Sequence, residues 1–133
     1  MFKRSLPLAF CSIGSTPFAP GVAVNPTKVE FVPSADHDAL SIDGSAMVVS
    51  YELRMFIEST DALISTTNLG KPVPVANLIT VTNPVWFAGL TPRTKYVARV
   101  VAIGLTGEGI SLKSNPFGNV GPPLAGGTPV VKK

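Results

Sequence analysis

The stretch from residue 90 to residue 102 constrains the fold of this chain more than any other part of the sequence. Pro92 fixes the backbone dihedral at a bend, and residues 95–103 after it are rich in β-branched side chains. Tyr96, Val100 and Ala102 lie an even number of positions apart, so in a strand they share one face. The segment therefore predicts a sharp corner that leads into one long strand with a buried face.

Further runs with strand composition lie on both sides of this segment. Turn signals such as Asp43-Gly44 and Asn83-Pro84 separate them, and no run has a convincing helical period. Many short strands at fairly even spacing are typical of an all-β sandwich or barrel. The strands are predicted at residues 27–32, 39–42, 46–58, 63–67, 78–82, 85–87, 95–103 and 110–113.

Composition divides the chain into three regions. Residues 1–26 hold four prolines and no regular hydrophobic period, which predicts an extended arm. Residues 27–114 contain the strand-like runs and form the predicted sandwich. Residues 115–133 are rich in glycine and proline and are predicted to be a tail.

The corner segment resembles a motif of fibronectin type III domains, in which Leu-x-Pro-x-Thr-x-Tyr is followed by valine and alanine. The resemblance implies an immunoglobulin-like β-sandwich whose tyrosine is buried and hydrogen-bonds back to the corner. Its leucine would lie at the bottom of the core. The tryptophan that the family carries on its second strand is missing here. The matching residues are Leu90, Pro92, Thr94, Tyr96, Val100 and Ala102.

The composition argues against several classes of partner. Hydrophobic residues make up 45% of the chain and charged residues 14%. This hydrophobic share is enough to build a core. The net charge of +3 is not arranged as a basic stripe with aromatics, so no nucleic acid is expected. No apolar run approaches the roughly 20 residues that span a membrane. The single cysteine excludes an intrachain disulfide.

The sequence offers no convincing set of reactive residues. Its one histidine, His37, lies between two aspartates, but Leu40 stands where a calcium loop needs a third oxygen ligand. The Asp36-His37-Asp38 segment is therefore interpreted as a solvated turn. Neither a nucleophile elbow nor a dinucleotide-binding loop is present. We expect no enzymatic activity, no cofactor or metal, and no small-molecule substrate.

Candidate contact residues follow from alternation and from the apolar content of the two ends. If Phe87 points into the core, Trp86 points outward, where it is available to a partner, or folds over the sheet edge or under an arm. Phe56 is a second outward-facing aromatic. The arm and tail add Phe2, Phe10, Phe18, Phe117 and Leu124.

The arm and the tail lead to a functional hypothesis. Pro- and Gly-rich ends are expected to become ordered only against neighbouring subunits, as in virus particles. The chain is thus predicted to be a structural protein of a bacteriophage virion, such as a capsid decoration or head or tail accessory protein. It would assemble in the host cytoplasm and bind other virion subunits or itself.

The alternative hypothesis is a fibronectin type III binding module that is secreted or attached to a bacterial surface. The N-terminal sequence resembles a signal peptide only superficially, because Pro7 interrupts its short apolar run and the large Phe10 precedes Cys11. Export by this segment is therefore not expected.

Overall fold

The computed structural model describes residues 21–123, 126–127 and 129–132. For residues 11–14 it describes the backbone. In these ranges the chain is built of short strands and one helical turn. The elements are β1 (Cys11–Gly14), β2 (Ala23–Val24), β3 (Lys28–Phe31), β4 (Ser50–Ile57), β5 (Leu63–Gly70), β6 (Ile79–Thr82), α1 (Val85–Ala88), β7 (Tyr96–Ile103), β8 (Glu108–Ile110) and β9 (Phe117–Gly118).

The strands form two sheets, and the chain is an all-β sandwich, as predicted. The smaller sheet has the antiparallel order β1-β3-β6. The larger sheet has the order β2-β9-β7-β4-β5, with β8 also paired to β7. Within the larger sheet only β2 and β9 run parallel. The first two strands therefore lie in different sheets.

The core lies between the inner faces of the two sheets. Alternate residues of β4 are buried, as period-two patterning predicts, whereas β7 is buried on both faces, at six of its eight residues. Phe31 supplies the large ring from the smaller sheet, and its ring centroid lies 5.1 Å from that of Tyr51. The other buried side chains of the cluster are Ala23, Val29, Val48, Leu53, Met55, Ile79, Phe87, Tyr96, Ala98, Val100, Ala102 and Phe117.

The predicted corner before β7 is present. Tyr96 is 4% exposed, and its hydroxyl accepts a hydrogen bond of 3.1 Å from the backbone N–H of Thr91. Leu90 packs against the core. The Tyr96 ring also stacks on Phe117, with centroids 6.1 Å apart. The side chain of Tyr96 thus connects the backbone of the corner to β9.

The strand predicted at residues 85–87 is wrong, because these residues lie in the helical turn α1. Pro84 has φ −59°, which suits the start of a helix, so the proline begins the turn rather than a strand. The side chain of Asn83 accepts a hydrogen bond of 3.2 Å from the N–H of Val85. The predicted strand at 39–42 is also wrong, because a single bridge joins Leu40 to Ala46 around a tight turn.

The sandwich extends beyond the predicted boundaries of 27 and 114. Both β1 and β2 precede residue 27, and β9 follows residue 114. Phe117 is fully buried, and Gly118 is needed beside it because a Cβ there would lie 2.6 Å from the carbonyl oxygen of Thr94. Arg93 donates a hydrogen bond of 2.8 Å to the carbonyl oxygen of Pro122. Much of the predicted tail is therefore part of the domain.

The predicted strand at 110–113 ends early because two serines replace regular strand pairing beside β7. The hydroxyl of Ser111 accepts a hydrogen bond of 2.9 Å from the N–H of Val100. Ser114 accepts one of the same length from the N–H of Ala98. Both serines are buried. Side-chain oxygens thus satisfy backbone donors of β7 that a regular strand would satisfy with carbonyls.

Tyr96→Phe is expected to lower the free energy of unfolding by about 1–3 kcal/mol, because it leaves the N–H of Thr91 without its partner. Urea denaturation of both proteins measures the difference, with an unchanged m-value showing that the folded state is intact. A change below about 0.5 kcal/mol would contradict a stabilising role for the hydroxyl.

Candidate protein-interaction surface

Three loops meet at one end of the sandwich. They comprise residues 32–49 between β3 and β4, residues 71–78 between β5 and β6, and residues 104–107 between β7 and β8. Because the paired strands are antiparallel, β5 and β7 run in one direction and β4 in the other. The N–H of Val49 donates a hydrogen bond of 2.7 Å to the carbonyl of Ile103, which joins the first loop to the third. We call these three loops the loop end.

Large aliphatic side chains stand exposed on all three loops. Their fractional exposures are 65% for Leu40, 108% for Ile42, 84% for Val73, 77% for Val75 and 70% for Leu105. Single exposed aliphatic residues are ordinary, but several on adjoining loops indicate a contact surface. The loop end therefore offers apolar area that a protein partner could cover.

Hydrogen bonds hold the tip of the first loop in one shape. Gly44 has φ +87°, a value that suits glycine at a tight turn. The Asp43 carboxylate accepts hydrogen bonds from the Ser45 N–H at 3.0 Å and from the hydroxyls of Ser41 and Ser45. These bonds hold the pKa of Asp43 well below its usual range. The turn presents Ile42 to solvent, and a cavity of about 140 Å³ lies between this tip and the third loop.

A buried polar contact anchors the base of the same loop. His37 is 7% exposed, and its Nδ1 lies 2.7 Å from the hydroxyl oxygen of the fully buried Tyr51. The N–H of Ser34 donates to that oxygen at 3.2 Å. Because this amide is a donor, the tyrosine can give its own proton to the histidine nitrogen. The two rings are stacked, with centroids 5.7 Å apart.

Burial governs the protonation of this pair. Burial lowers the pKa of His37, the charge of Asp38 opposes the shift, and the charge of Lys71 adds to it. Burial likewise raises the pKa of Tyr51, with the Ser34 amide opposing. The neutral imidazole is thus the form that the fold favours, and it can accept the tyrosine proton.

The interpretation of residues 36–38 as a solvated turn is wrong for two of the three residues. Asp36 is 2% exposed, and His37 is buried against Tyr51, whereas the side chain of Asp38 is exposed. The physical reason is that Tyr51, at the start of β4, places a hydroxyl where the loop can reach it. No local pattern in the sequence connects positions 37 and 51.

The predicted contact residues lie elsewhere in the fold. Trp86 is half-buried on α1 and packs against the core. Phe56 is half-buried on the outer face of β4, opposite Val97. The prediction of Phe117 as a partner contact is wrong, because it is a core residue. Phe2, Phe10, Phe18 and Leu124 lie outside the described residues.

The sequence contains a signal for the loop end that strand patterning overlooks. Val73 and Val75 alternate with Pro72 and Pro74, and Leu105 follows a glycine. Large aliphatic side chains next to turn-forming residues have no neighbouring strand to bury them. This pattern could have indicated exposed apolar loops.

In the described part of the chain, no three His, Cys, Asp or Glu side chains come together as a metal-binding group. A groove of about 490 Å³ lies near the corner, but prolines, aliphatic residues, threonine and asparagine line it, and none of these titrates near neutral pH. No helix in this part is long and apolar enough to cross a membrane.

Comparisons with known proteins include a likeness to a solved structure. No protein-family model matches the chain, and no curated protein matches it. A solved structure described as "Myokine structure" aligns with a TM-score of 0.40 and 10% identity, over 85% of this chain and 93% of that one. The fold assignment rests on the strand topology and the core described above.

The buried histidine predicts that the protein loses stability in mild acid. The pKa of His37 in the fold is lower than 6.5, its value in an unfolded chain, so the unfolded chain takes up a proton first as the pH falls. The His37 contribution is therefore complete above about pH 6.5 and is lost as the pH falls from there toward the native pKa. Urea denaturation at a series of pH values between 7 and 5 measures this decrease.

His37→Asn is the matched variant, because its side chain can place an acceptor near the position of Nδ1 but does not titrate. We expect a less stable protein whose free energy of unfolding falls less steeply in this pH range. An equal slope in both proteins would show that other groups cause the acid sensitivity.

Proposed function

We propose that this protein is a non-enzymatic module of the fibronectin type III kind that binds neighbouring protein subunits through its loop end. The observation that carries the proposal is the set of exposed aliphatic side chains on three adjoining loops. The packed core of the sandwich supports the bases of these loops. The loops therefore lose little conformational entropy when they bind a partner.

The composition of the loop end favours a protein partner. Exposed aliphatic side chains and charged side chains such as Asp38 and Lys71 lie together on these loops. An apolar centre with a polar margin is the usual anatomy of a protein–protein interface. A catalytic site would instead need titratable groups that converge in a cavity, and the grooves near the corner and the loop tips lack such a set.

We infer that the neighbouring subunits belong to a bacteriophage particle, in which this protein serves as a capsid decoration or head or tail accessory protein. The support is the composition of the chain before β1 and after β9. Residues 1–10 hold Pro7, and residues 119–133 hold three prolines and three glycines. An extended segment of about 10 residues can reach roughly 35 Å, far enough to contact an adjacent subunit. Proline lowers the entropy lost when such a segment docks.

The test is incorporation into particles. Particles purified by density gradient from the source of the gene are expected to contain the protein at a fixed ratio to the major capsid protein, as measured by quantitative mass spectrometry. Absence from particles, with the protein found in the cell envelope or medium, would contradict the virion setting and favour the secreted or surface module.

A paired substitution tests the loop end itself. Ile42→Ser with Leu105→Ser removes two exposed aliphatic side chains and is expected to leave the melting temperature unchanged while it abolishes incorporation. The control is Val85→Ser on α1, a residue that is 78% exposed and lies outside the three loops. If the control fails to assemble and the paired variant succeeds, the contact surface is at α1 and not at the loop end.

A further inference from the structure

We propose that two copies of this chain pair through their β5 strands, antiparallel and about a two-fold axis. In the described residues β5 is the last strand of the larger sheet, and nothing there pairs with its outer side. It is eight residues long. In an antiparallel pair, alternate residues of an outer strand turn their N–H and C=O groups away from the sheet. Such an edge is a template for another strand.

The edge lacks two of the usual protections against pairing. Leu63–Gly70 contains neither a charged residue nor a proline, which monomeric proteins use to keep edges apart. Register shifts between β4 and β5 fall near the two ends of the pair, and residues 65–68 between them pair regularly. Leu63 and Ile64 are 54% and 40% exposed. Residues 65–68 are therefore the part of the edge that can accept a partner, and the start of the strand is apolar.

The other edge of the same sheet is the strand β2, which pairs in parallel with β9 and has only two residues. The edge strands of the smaller sheet, β1 and β6, have four residues each. Among the described strands β5 is therefore the longest edge, and the edge that matches its length is β5 of a second copy. Pairing of like edges gives a closed dimer and not an open filament.

The residues that flank β5 select the antiparallel arrangement. Antiparallel pairing brings the start of one strand beside the end of the other. When the two strands pair about Thr66, Asp61, which precedes β5 and is exposed, approaches Lys71 of the second copy. The carboxylate of Asp61 already lies 2.9 Å from the Nζ of Lys113 in its own chain. In the dimer it would therefore lie between two ammonium groups, one from each copy. Parallel pairing would instead place like charges together.

This pairing goes beyond the proposed function, since it rests on the β5 edge, uses only Lys71 of the loop end, and involves no particle. Sedimentation equilibrium of the full chain, from low micromolar to near-millimolar concentration, is expected to show a shift from monomer to dimer mass. Thr66→Lys places an ammonium group at the middle of β5, where the two copies would repel each other. We expect the dimer dissociation constant to rise more than about tenfold.

The matched control is Thr80→Lys, which adds the same charge at an exposed strand threonine of the smaller sheet, opposite Glu30. It is expected to dimerise like the unmodified chain, and circular dichroism melts check that both variants fold. Hydrogen exchange gives a second measurement, in which amides of residues 63–70 become protected as the concentration rises. A monomer at every concentration, a dimer without this protection, or a dimer weakened by Thr80→Lys alone would overturn the proposal.

Discussion

The rest of the structure depends on the hydrogen bonding of β7, the strand at the middle of the larger sheet. It pairs along its full length with β4, and its other side is met in turn by β9, by two serine hydroxyls and by β8. Its inner residues are small apart from Tyr96, so the aromatic side chains of the facing strands fit against it. Without β7 the corner, the final strand and the third loop would have no common support.

The contact between His37 and Tyr51 links this core to the loop end. Tyr51 is a core residue of β4, and its hydroxyl is the point at which residues 34–37 of the first loop are held. Because a buried imidazole resists protonation, the neutral form of His37 is the one that this contact favours. The loop tip has its own, separate hydrogen bonds around Asp43. The first loop is thus supported at both its base and its tip.

The two proposed contacts use different parts of the sandwich. The loop end is a set of side chains on loops, and such a surface recognises a partner by shape and apolar area. The β5 edge offers backbone groups, which recognise another strand whatever its side chains. A subunit that pairs with itself through an edge and with other proteins through its loops would bind two or more neighbours at once. This division suits a protein that lies between others in an assembly.

The sequence by itself determined the elements whose signals are local. Period-two patterning predicted β3, β4, β6 and β7 to within a few residues, and the motif around Pro92 predicted the hydrogen bond of Tyr96. Only the tertiary structure decided the burial of His37 and Phe117, the place of β2 beside β9, and the exposure of the aliphatic loops. These depend on contacts between residues far apart in the chain, which no local period or turn residue encodes.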